Sequence, residues 1–198
     1  MSREELRRKC EETAEILVPY YQDKFDIELR EPDFTVLSHD EFNTTGRMNY
    51  VRKDSSSHHS GEVVVLYDEI WSDLLVNKGV AHELGHVAKD INSKEKIKSV
   101  EYPKGRYVPC FEEGIANHFR REGLKYLEKY FEGKSKIKSK THKMYRLWHE
   151  KALEWGSLLS LEDEHIIGNK IFSGEDDEIK EALEKPETFF KSIDFSSL

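Results

Sequence analysis

Cysteine is scarce in this chain of 198 residues: Cys10 and Cys110 are the only two, and they stand far apart. That excludes a disulfide scaffold and a cysteine-rich metal finger. Long apolar runs are missing as well, and no stretch approaches the roughly 18 residues of a membrane-spanning helix. The opening segment MSREELRRKCEE lacks the apolar region of a secretory signal, so a cytoplasmic protein with no membrane partner is expected. Positive charge is in deficit. Lys and Arg number 31 against 39 Asp and Glu, for a net charge of −8. That balance counts against nucleic acid as the main partner. No repeat and no low-complexity tract is evident. What is present is core-forming material, 37% hydrophobic and 11% aromatic, enough for one domain over residues 1–198.

Along the chain, Leu6, Cys10, Ala14, Leu17 and Val18 recur at helical spacing over Arg3 to Tyr21, where Pro19 should end or bend the helix. Phe34, Val36 and Leu37 suggest a short strand, as do Met48, Tyr50 and Val51, with Asn43 to Gly46 as the turn between them. Val63 to Tyr67 is the best strand, apolar and mostly β-branched. Helical spacing follows over about Ile70 to Lys89 and Cys110 to Phe131, separated by a loop from Asn92 to Pro109. Glu132 to Lys143 is a basic connector, read as solvated. Further helices are expected near Met144–Trp155, Ser160–Phe172 and Asp176–Leu183. The fold class is therefore α+β: a small mixed or antiparallel sheet, then two long helices, then a helical C-terminal part over 132–198.

The chemistry concentrates in Val80 to Val87, VAHELGHV. Residues i and i+4 of a helix share a face, with Cβ atoms about 5–6 Å apart, so His82 and His86 can converge on one ion. Glu83 stays near that ion without binding it, as a carboxylate placed over a metal-bound water must. With 9 His and 39 acidic residues in 198, chance gives a His-acid-x-x-His pattern about 0.08 times per chain. A catalytic zinc needs a third protein ligand and an open position. No His occurs between His86 and His118. The candidate is Glu113, because Gly114 and Ala116 leave its side open to a neighbouring helix; Glu112 is the competitor. Asn117, one turn on from Glu113, is placed to orient a histidine ligand. His118, five residues on, falls off that face. His58 and His59 are adjacent and point apart, so they do not share an ion. Cys110 reads as a small buried hydrophobe. An oxyanion-stabilising donor is expected from among Tyr145, His149, His165, Tyr102 and Tyr107.

HELGH at 82–86 followed by EEGIANHF at 112–119 resembles the gluzincin group of zinc metallopeptidases. The pattern E-x-x-A-N-x-F at 113–119 is also similar to the ImmA/IrrE type of regulatory metalloprotease, which shares H-E-L-G-H, and the chain partly resembles the minimal archaeal gluzincins as well. The likeness covers roughly residues 61–120, within a core of 61–131. It implies a zincin-like fold, with the sheet packed on a zinc helix and a Glu-ligand helix. It also implies Zn2+ held by His82, His86 and Glu113, and hydrolysis of a peptide or protein substrate, in the manner of an endopeptidase. Glu83 would then act as general base. The strand Glu62 to Tyr67 has two equal readings: pure core, or a sheet edge beside the cleft that pairs with an extended substrate. Two rival readings stand beside this one. The first is a latent or non-catalytic zinc-binding regulator, whose metal position is filled and only stabilises the fold. The second is a binding module that recognises its partner through the Asn92–Pro109 loop or the Lys134–Lys143 run.

Overall fold

The computed structural model describes residues 1–42, 47–52, 61–68, 70–94, 107–130, 161–172 and 176–194. Helix α1 (Arg3–Phe25) starts at a capping box: the Ser2 hydroxyl accepts the Glu5 N–H at 3.1 Å, and the Glu5 carboxylate accepts the Ser2 N–H at 3.3 Å. Leu6, Cys10, Ala14, Leu17, Val18, Tyr21 and Phe25 make its buried stripe. Pro19 neither ends nor divides this helix, which continues to Phe25. Proline removes one N–H and crowds one carbonyl, and here it sits on the exposed side. Buried neighbours before and after it keep the helix seated.

Three strands follow: β1 (Asp33–Leu37), β2 (Met48–Arg52) and β3 (Gly61–Leu66). They form a mixed sheet in the order β1-β3-β2. Strand β1 runs parallel to β3, with Phe34 opposite Val63, and β2 runs antiparallel to it, with Tyr50 opposite Val63. The apolar run Val63–Leu66 is buried because it is the central strand. Of the two readings of this strand, pure core holds, and an edge able to pair with a substrate does not. Among the described residues the edges are β1 and β2, which flank β3 instead of pairing with each other. The turn expected at Asn43–Gly46 lies outside the described residues.

Helix α2 (Asp73–Asn92) begins at Ser72, whose hydroxyl accepts the Leu75 N–H at 3.4 Å. It packs over β2, where Met48 covers Gly79. Helix α3 (Tyr107–Tyr130) lies against α2 on one side and against α4 (Leu161–Ile171) on another. Helices α5 (Asp176–Glu184) and α6 (Pro186–Ser192) complete the described chain. The sequence pattern did not anticipate α6, a single short helix led by Pro186. The helix expected over Met144–Trp155 lies outside the described residues, as do most of the 92–109 loop and the lysine run. Among the described residues, no helix is long and apolar enough to cross a membrane.

Two close helix crossings set the geometry of everything near α3. A Cβ added to Gly85 of α2 would lie 2.6 Å from the Ala116 Cα of α3. A Cβ added to Gly114 of α3 would lie 2.3 Å from the Gly168 carbonyl oxygen of α4. The small residues after Glu113 thus serve two different partners: Ala116 meets the HELGH helix and Gly114 meets α4. Because the obstacle at Gly85 is backbone, Gly85→Ala should force the helices apart. It should cost about 1–3 kcal/mol despite alanine's better helix propensity. The measurement is a lowered urea midpoint at unchanged m-value.

Candidate metal centre

The crossing at Gly85 and Ala116 brings the C-terminal half of α2 alongside the first turns of α3. His82 and His86, one turn apart, face the same side as Glu113. Glu113 Oε2 lies 3.0 Å from His82 Nε2, and Glu113 Oε1 lies 3.4 Å from His86 Nε2. One donor atom from each of the three residues falls within 4.8 Å of the others. A tetrahedral ion with bonds of about 2.0–2.2 Å separates its ligand atoms by about 3.3–3.6 Å, close to the spacing here. The 3.0 Å approach of Glu113 Oε2 to His82 lacks hydrogen-bond alignment, and this buried oxygen has no hydrogen-bond partner among the described residues. A buried carboxylate oxygen without a donor is a group suited to a cation. The donor set of two imidazoles and a carboxylate fits a divalent metal.

Glu112, the competitor, points elsewhere and pairs with Lys89 of α2. Glu83 is buried beside the imidazoles, and its Oε2 accepts the main-chain N–H of Tyr50 at 2.7 Å. His118 is turned away: Arg121 donates to its Nδ1 at 2.7 Å, so its Nε2–H donates to Asp176 at 2.9 Å. Asn117 does not hold a ligand ring. Its amide donates to the His165 carbonyl at 3.4 Å and so anchors α4. Cys110 is a buried thiol, as is Cys10.

Of the five residues expected to offer an oxyanion donor, His165 is the one the described residues place at the centre. Its Nδ1 lies 3.2 Å from Glu113 Oε2, and its ring centroid lies 5.1 Å from that of His82. Gly168, three residues later, permits this approach because it lets α4 ride backbone against backbone on Gly114. Tyr102, Tyr145, His149, His58 and His59 lie outside the described residues, and so does the side chain of Tyr107. Two contributors had no signature in the sequence pattern. One is the Tyr50 N–H, since every residue but proline carries such a donor. The other is Arg120, seven residues beyond Glu113, whose charge helps hold His82 and His165 neutral.

Burial drives the protonation states. It pushes His82 down to about 4, with His86 and Arg120 adding to the effect and Glu113 opposing it. Burial, then the neighbouring His82, pushes His165 down to about 4. Burial opposes charge on His86 too, but the Glu113 and Glu83 carboxylates outweigh it and raise its pKa. Burial lifts Glu83 to about 7, against the pull of His86 and the Tyr50 N–H. Burial also disfavours the Glu113 carboxylate, but the two imidazoles prevail and hold it well below the usual range. Compared with known proteins, the chain matches no protein family, no curated protein and no solved structure.

These states set the acid sensitivity of the metal-free protein. Between pH 4.5 and 6.5, unfolding lets His82 and His165 each take up a proton, while Glu83 releases one. His118, also lowered, adds to the uptake. His86 and Glu113 shift mainly outside this window. Slightly less than one net proton from His82, His165 and Glu83 together is therefore bound on unfolding, and stability falls as the pH falls, by about 2 kcal/mol over the window. Urea titrations in chelator at the two ends of the window should show it. Glu83→Gln, which cancels the opposing release, should steepen the dependence by about one further proton.

Proposed function

We propose that this protein is a zinc-dependent peptidase with a zincin-like arrangement. The supporting observation is the Glu113 carboxylate spanning the His82 and His86 imidazoles, with Glu83 buried beside them. The resemblance of HELGH and EEGIANHF to gluzincins supports the same reading. His82, His86 and Glu113 would hold the ion. When bound, zinc supplies Lewis acidity, which polarises a carbonyl and brings the pKa of a coordinated water to about 7.

The chain's own side chains account for the remainder. Glu83, buried beside the imidazoles and not among the ligands, is placed to take a proton and return it to a leaving amine. His165, uncharged near neutral pH, offers an imidazole N–H to a carbonyl oxygen that gains charge. The low exposure of His82 and Glu83, 8% and 5%, limits the water around them and strengthens these interactions. Metal content of the purified protein tests the reading, alongside hydrolysis of an unstructured protein substrate. Wild type should carry one equivalent of zinc and His82→Ala none. Equal metal content in the two proteins would refute the ligand assignment.

One observation favours the non-catalytic reading, in which the protein is a latent zinc-binding regulator. His165 Nδ1 lies 3.2 Å from Glu113 Oε2, so a further protein donor stands next to the carboxylate that would hold the ion. On that reading zinc content would be normal, no peptide would be cut, and His165→Ala would open the site.

A further inference from the structure

The 2.7 Å hydrogen bond from the Tyr50 N–H to Glu83 Oε2 joins a sheet edge to the residue assigned as base. The register explains why this N–H is available. The Leu66 N–H donates to the Arg47 carbonyl at 2.8 Å, which makes 47/66 a hydrogen-bonded pair. Alternation along the antiparallel ladder then turns the N–H groups of Asn49 and Val51 toward β3 and that of Tyr50 away from it. The outward edge of β2 faces α2, and Glu83 meets it there. The side chain of Tyr50 fixes the same junction a second time. Its hydroxyl donates to Asp90 Oδ2 at 3.0 Å, seven residues after Glu83 on the same face of α2. Its ring also covers Gly61.

We propose that the main-chain N–H of Tyr50 positions the reaction base, pinning Oε2 of Glu83 to the sheet and leaving Oε1 as the atom that exchanges the proton. This rests on the reading of Glu83 as general base. A carboxylate on a two-bond stem otherwise samples several rotamers, and a charge-assisted bond to rigid backbone removes that freedom. Tyr50 is thus a positioning residue that acts through its backbone. A consequence concerns the substrate. An extended peptide added to the β2 edge would need the Tyr50 N–H, which Glu83 already occupies, so strand pairing with substrate is interrupted at this residue.

Two measurements test the proposal. The first needs neither metal nor activity: amide hydrogen exchange in the metal-free protein. Glu83→Ala should speed exchange at Tyr50 by about tenfold or more, while Asn49 and Val51, bonded to β3, stay unchanged. Unchanged exchange at Tyr50 overturns the proposal. The second compares Tyr50→Pro, which lacks the N–H, with Tyr50→Ala, which keeps it and lacks only the side chain. An edge strand tolerates proline where the N–H points outward. Tyr50→Pro should show kcat about 10- to 100-fold below Tyr50→Ala, with similar KM and equal zinc content. Equal kcat values overturn the proposal, and so does a loss confined to KM, which would assign the N–H to substrate. Should Tyr50→Pro fail to fold, the exchange result decides. If exchange at Tyr50 responds but the wild type cuts no peptide, the N–H is only a structural cap; the positioning role then falls together with the peptidase reading. If the wild type is active and exchange does not respond, only the positioning role falls.

Discussion

Glu83→Gln should retain a full equivalent of zinc and lose peptide hydrolysis by about 10²- to 10⁴-fold, the usual contribution of a positioned base. The side chains match in size, and the glutamine carbonyl can still accept the Tyr50 N–H, so the fold around α2 and β2 has no reason to move. What disappears is the lone pair that takes the proton. The assay is kcat/KM on a peptide substrate with metal content measured on the same sample. A variant as active as wild type would remove Glu83 from the mechanism. A variant that loses its zinc would show that Glu83 holds the site together instead of acting on substrate.

The second large effect separates two neighbouring acids. Glu113→Ala should weaken zinc binding by more than the roughly 10- to 100-fold typical of a residue that only supports a ligand, and should abolish activity with it. It should also remove the stabilisation that zinc gives the folded chain, about 4 kcal/mol when free zinc is near a thousand times the dissociation constant. Glu112→Ala should leave both properties intact. Its carboxylate pairs with Lys89 at the margin of the site, where an ion pair contributes about 0–1 kcal/mol. A chelator competition and a thermal scan with and without zinc measure both variants. If Glu112→Ala lost the metal and Glu113→Ala kept it, the assignment would reverse.

The candidate site was largely legible in the residues because its parts obey local rules. His82 and His86 meet because a helix places i and i+4 together, and Gly114 with Ala116 marked α3 as a helix that others approach closely. The long helices were legible for the same reason, through an apolar stripe that repeats each turn. The parts that escaped depend on which element packs against which. Val63–Leu66 reads the same as a central strand or a covered edge, and only the placement of β1 and β2 on either side decides it. Pro19 looks like a stop signal until Tyr21 and Phe25 are seen buried beyond it. Asn117, one turn after Glu113, reads as a partner for a ligand ring, but α4 supplies a backbone carbonyl that accepts its amide N–H instead. His165 was one aromatic or imidazole among several, and what singles it out is Gly168 one turn later, a pairing visible only once Gly114 is known to be its partner.

Helix α3 carries contacts on a strict angular schedule: Glu113 to the imidazoles, Gly114 to α4, Ala116 to α2 and Asn117 back to α4. Each added helical residue rotates whatever follows by about 100°. One amino acid inserted between Gly114 and Ala116 would leave Glu113 and Gly114 in place while swinging the Ala116 and Asn117 contacts to the wrong azimuth. The five positions from 113 to 117 therefore act as a fixed-length ruler, and insertions or deletions should be least tolerated there.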